Sequence, residues 1–222
     1  MELQSITKKL YRWSEKHGRP GTQYEWHSYA LTIRPDLILL IDPLAPSAAV
    51  CQELEALGIP THILLTCLWH TRAAEALRQR WGCKVLLNEN GVARSEMEVD
   101  ETFQPPCRLW DRIDLLPLGR LSWPEEVAVR FEQHLLVMDG LVGGRADLQI
   151  AEGEVGIHPN RFAMGHIPDM NRARELILEL AEPPLKEMHF GHGAPVRQNA
   201  AAALRKLANA RWMPCRVPGQ TT

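Results

Sequence analysis

The sequence has no CxxC pair, no GxSxG elbow, no GxxxxGK[ST] loop and no GxGxxG turn. These absences remove dithiol redox chemistry, the common serine-hydrolase arrangement and the two commonest nucleotide-binding loops. Cysteine is scarce and odd in number, at positions 51, 67, 83, 107 and 215. An odd number of cysteines with no CxxC pair points to a reducing, cytoplasmic compartment in which most of them are small core hydrophobes. Long apolar runs are also missing. The longest, "DLILLIDPLAPSAAV", is broken by Asp42, Pro43 and Pro46, and "MELQSITKKLYRWSEKHGRPG" has no apolar core of the kind a leader peptide needs, so no membrane association is expected. An excess of either charge is lacking too. With 25 basic against 27 acidic residues, the net charge of −2 gives no bulk attraction to nucleic acid or to an anionic membrane.

What is present reads as α/β. After a first helix expected before residue 24, "YEWHSYALTI" and "LILLID" are strands, the second apolar throughout and therefore buried on both faces. "SAAVCQELEAL" is an amphipathic helix ended by Gly58, and "THILLT" is the next strand. A helix over 71–81 with Gly82 beyond it leads to strand "KVLLN". Residues 89–112, with Pro105-Pro106 and many acids, read as a short helix and an irregular connection. "DLLPL", "VAVRF" and "HLLVMDG" follow at hairpin spacing. A helix over 171–180, a strand "LKEMHF", a turn "GHGAP" and a helix over 196–210 complete the reading. The division expected is an N-terminal extension, 1–23, one domain, 24–210, and a loose tail, 211–222. Both halves run strands into helices, which suggests two sheets with helices outside.

The ordered landmarks "SYAL", "LILLIDP", "PTHILLT", "LLVMDG" and "FGHGAP" together resemble the metallo-β-lactamase fold, the αββα sandwich of metal-dependent hydrolases, over residues 24–207. In that family the turn after the third landmark reads T-H-x-H-x-D-H and supplies most ligands of a two-metal site. The matching stretch here is Thr66-Cys67-Leu68-Trp69-His70-Thr71-Arg72. Cys67 and Trp69 stand at the first two His positions, Thr71 at the Asp and Arg72 at the last His. The family's next ligand, a His in a glycine turn, would fall in "LGRLSWPEE", which has none. Asp139 matches the metal-bridging Asp, His192 the last His and Asp42 a structural Asp after the second strand.

The resemblance therefore implies a metal turn with its ligands replaced, and a pocket formed by Cys67, Trp69, His70, Arg72, Asp139 and His192. A catalytic zinc takes three protein ligands and an open position. Asp139 and His192 are two, His70 is offset by one residue from a ligand position, and the permanent Arg72 cation would repel a divalent ion. Arg72 would instead balance the charge of Asp139. The function expected is non-catalytic binding of a small molecule or a partner, with no cofactor; the alternative is a hydrolase with one zinc on Asp139, His192 and either His70 or Cys67. A homodimer is the expected assembly. His27 is read as structural, Asp169 as a helix N-cap, His189 as half-buried, and His158, Arg161 and His166 as loop residues. Glu125 and Glu126 are adjacent, so on a strand they would face opposite ways and form no catalytic dyad.

Overall fold

The computed structural model describes residues 1–16, 24–158, 167–182 and 184–212. They form two compact units, 1–107 and 108–222.

The first unit is built on a seven-stranded mixed sheet in chain order: β1 (Gln4–Ser5), β2 (Leu10–Lys16), β3 (Glu25–Arg34), β4 (Leu37–Ile41), β5 (His62–Leu65), β6 (Lys84–Asn88) and β7 (Glu101–Phe103). The strands through β4 are antiparallel neighbours, and those from β4 to β7 run parallel. Parallel steps require crossovers, and α1 (Ala48–Leu57) and α2 (Ala74–Trp81) supply the first two, from β4 to β5 and from β5 to β6. Ser47 caps α1 by accepting the Val50 N–H, and Gly82 ends α2 in the left-handed conformation. Val50 and Leu54 of α1 and Ala74 and Leu77 of α2 join Leu40, Ile63, Leu65, Val85 and Leu87 in one core. All five residues of β4 are buried, as its unbroken apolar run requires.

Three expectations are corrected in this unit. Residues 10–16 are a strand, not a helix, and belong to the sheet. Leu10 and Trp13 are both fully buried, a three-residue spacing that imitates a helical face, but full pairing from Leu10↔Leu31 to Lys16↔Glu25 decides for strand. The helix expected from 71 begins only at Ala74. Arg72, at φ 34°, interrupts it, and a 3₁₀ turn over Leu68–His70 precedes it. The stretch after residue 89 opens with the short helix expected, α3 (Glu89–Val92), but the connection read as irregular holds β7, too short for any periodicity to show.

The second unit carries a five-stranded sheet of β8 (Cys107–Leu109), β9 (Ile113–Pro117), β10 (Val127–Phe131), β11 (His134–Val137) and β14 (Glu187–Phe190), in the order β14-β11-β10-β9-β8. A two-stranded ribbon, β12 (Leu141–Val142) and β13 (Gly156–Ile157), stands beside it. The hairpins β9–β10–β11 are antiparallel as expected, and β14 joins β11 in parallel. Helices α4 (Met170–Ala181) and α5 (Ala200–Asn209) bury Leu176, Ile177, Leu180 and Leu204 against Ala128, Leu135, Val137, Met188 and Phe190. No described helix is long and apolar enough to cross a membrane.

Candidate functional site

In the first unit the site-bearing turn follows β5. Asp42 lies one residue beyond β4, whose Ile41 is level with Leu64 of β5, so Asp42 and Thr66 emerge at the same sheet edge. Asp42 is fully buried and left-handed (φ 46°), a conformation its short polar side chain tolerates. Its Oδ1 accepts the Thr66 N–H at 2.7 Å, and its Oδ2 accepts the Thr66 hydroxyl and lies 2.7 Å from His70 Nδ1. A carboxylate accepts, so His70 donates through Nδ1. Cys67 Sγ, also buried, is 3.5 Å from the same Nδ1. The one-residue offset of His70 thus turns its ring inward onto the structural carboxylate.

Arg72 spreads its guanidinium over the Trp26 ring, 5.5 Å from the centroid, and donates at 3.4 Å to the backbone carbonyl of Asp42. That carbonyl also accepts the Ser28 hydroxyl at 2.6 Å. Trp69, at the tip of the 3₁₀ turn, is 65% exposed. Cys67, His70 and Asp42 are therefore brought together, whereas Trp69 faces solvent.

In the second unit, β11 and β14 are parallel with Val137 level with Phe190, so the residues two beyond each strand, Asp139 and His192, come side by side. Asp139 Oδ1 is 3.5 Å from His192 Nε2. Glycine is required around His192. A Cβ on Gly191 would run into the Met138 carbonyl oxygen, and Gly193 has φ +90°. Glu126, fully buried, accepts the backbone N–H groups of Asp139 at 3.1 Å and Gly140 at 2.7 Å through Oε1. It holds the Asp139 loop in place, a role that adjacency of two acids in the sequence did not reveal. The Glu126 side chain acts from the turn before β10 rather than from a strand.

Of the other residues singled out, His27 Nδ1 is 2.7 Å from Ser14 Oγ on the paired strand β2, and Asp169 caps α4 by accepting from the N–H groups of Asn171 and Arg172. His189 is more deeply buried than expected, at 1% exposure. Arg161, His166 and Cys215 lie outside the described residues. Cys51, Cys67 and Cys83 are buried, and Cys107 is intermediate. Burial pushes the Cys83 thiol up to about 11.

No protein-family model matches the sequence, and no curated protein matches it. Solved structures do. A metallo-β-lactamase from Pontibacter korlensis aligns with a TM-score of 0.65 at 17% identity, over 95% of this chain and 99% of that one. A metallo-β-lactamase superfamily protein from the archaeon Sulfolobus tokodaii aligns with a TM-score of 0.60 at 15% identity, over 95% and 91%. A metal-soaked flavodiiron core from Synechocystis aligns with a TM-score of 0.63 at 13% identity, covering 92% of this chain but 59% of that one. The α/β class and the αββα sandwich expected from the landmarks are borne out by these likenesses.

Proposed function

We propose that this chain, which has the metallo-β-lactamase fold, is a divergent non-catalytic protein that binds a small molecule or a partner through the loops where the family carries its metal ligands. The donor chemistry of Thr66–Arg72 carries this reading. A hydrolytic metal pair needs several imidazole and carboxylate ligands. Here the matching positions bear Cys67, Trp69, Thr71 and Arg72, none of them an imidazole or a carboxylate, and His70 is the single imidazole of the turn. The residues present do not fit a two-metal centre. Trp69, broadly exposed on the same turn, offers an aromatic face of the kind that binding surfaces use.

A second reading, a hydrolase reduced to one zinc, is favoured by two observations. Asp139 and His192 sit 3.5 Å apart in the second unit, and the Asp42 carboxylate sets the His70 tautomer as metal-bound histidines are set by their outer partners. The test is metal analysis of full-length protein purified without a metal-affinity tag, together with hydrolysis assays on β-lactam, thioester and phosphodiester substrates. The binding reading expects no turnover, and metal content unchanged in Asp139→Ala and His192→Ala. Turnover abolished by either substitution, or bound metal lost in both, overturns it in favour of the hydrolase.

A further inference from the structure

A second cluster of metal-ligating side chains lies at the other end of β11 and β14. β11 begins with His134 and leads towards Asp139, and β14 begins with Glu187 and leads towards His192. His134 is level with Glu187 across the parallel pair, and His189 follows Glu187 by two residues, which puts all three on one face of the sheet. Leu135, Val137, Met188 and Phe190 take the opposite face, in the core beneath α4 and α5.

His134 Nδ1 is 3.3 Å from His189 Nε2 and 3.8 Å from Glu187 Oε2, and His189 Nε2 is 3.6 Å from the same oxygen. The nearest point equidistant from these three atoms, in their common plane, is about 2.1 Å from each, the length of a Zn–N or Zn–O bond. The side chains are 9%, 1% and 15% exposed for His134, His189 and Glu187. The exposed Lys186 ammonium is nearest the other carboxylate oxygen, Oε1, at 3.6 Å.

From this geometry we propose that His134, Glu187 and His189 form a binding site for a divalent cation of the zinc class. Two imidazoles and one carboxylate are the donors such an ion takes, and three protein ligands leave a fourth position for water. The ion braces β14, which is the edge strand of its sheet, to β11. This site is independent of the one discussed above, since its ligands start the two strands that Asp139 and His192 follow.

The test is titration of zinc(II) into metal-stripped full-length protein, read by competition with a chelating dye and by thermal melting. Wild type is expected to take up one equivalent at micromolar zinc and to melt at a higher temperature with it. Glu187→Gln and His134→Asn, each checked for folding by circular dichroism, are expected to weaken uptake by more than about tenfold, whereas His192→Ala keeps it. Absence of uptake by the wild type at tens of micromolar zinc, survival of uptake in both substitutions, or its loss only in His192→Ala, overturns the proposal. Cobalt(II) substitution of the wild type provides a reading that needs no variant. A tetrahedral spectrum without a thiolate charge-transfer band is expected, and a thiolate band would assign the metal to a cysteine and overturn the site.

Discussion

Asp42 has no solvent to share its charge with, and its two oxygens are occupied by Thr66 N–H, Thr66 hydroxyl and His70. Removing the carboxylate leaves those donors buried and unmatched. Asp42→Ala is therefore expected to lower stability by about 3–5 kcal/mol in urea unfolding, the usual cost of breaking a buried pair. Asp42→Asn keeps the shape and part of the bonding, and about 1–2 kcal/mol is expected. Cysteine behaviour is set at the same scale. The Cys83 thiol, raised to about 11 by burial, donates at 3.3 Å to the Pro60 carbonyl, so it is almost wholly protonated near neutral pH. Timed alkylation followed by peptide mass spectrometry should label Cys107 first among the four described cysteines, and Cys83 only on unfolding.

At the scale of elements, the loop after β14 depends on backbone passing where a side chain would stand. Gly191→Ala would drive a Cβ into the Met138 carbonyl, and neither partner is a flexible side-chain end. A loss of about 2–3 kcal/mol is expected from such overpacking, seen as a lower denaturation midpoint. Displacement of His192 should accompany it, visible as a moved imidazole resonance in NMR. The α4 cap is a milder case. Asp169 accepts from Asn171 N–H and Arg172 N–H at an exposed helix start, and Asp169→Ala is expected to cost about 1 kcal/mol.

For the whole molecule, titration should produce a two-step acid profile. Burial is the main cause that holds His62 below the ordinary histidine value, with Lys84 and Arg34 acting the same way and Glu101 against them. A histidine lowered in the folded state resists protonation there, so its contribution is complete above the unfolded value and is lost as pH falls below about 6.5. Asp114 and Asp147 are held low by hydrogen bonds from Arg108 and Arg145, and their contributions are lost as pH falls below about 3.9. Both carboxylates are partly exposed, so the second step is damped by solvent. Melting temperature should be flat from about pH 8 to 7, decline below about 6.5, and decline again below about 4. His134 is likewise held low, chiefly by burial, so His62→Gln should shrink the first decline rather than remove it; a profile unchanged by that substitution would assign it elsewhere.

The sequence by itself determined the alternation of β5, α2 and β6, the stops at Gly58 and Gly82, the hairpins β9–β10–β11, and the landmarks that resemble the fold borne out by solved structures. Each is a local matter: an apolar run, a helical stripe or a glycine end has the same cause wherever it occurs. Asp139 and His192 were legible as a pair only through the landmark resemblance, and parallel register then set them at 3.5 Å. Tertiary structure alone decided the rest. Strand pairing made residues 10–16 a strand against their helix-like spacing. The buried Asp42 carboxylate chose the direction of His70, and a turn outside any strand let Glu126 reach the Asp139 loop. The convergence of His134 on Glu187 and His189 joins residues more than fifty positions apart along the chain. Such encounters depend on which strand lies beside which, and that choice belongs to the packed sheet rather than to any local pattern.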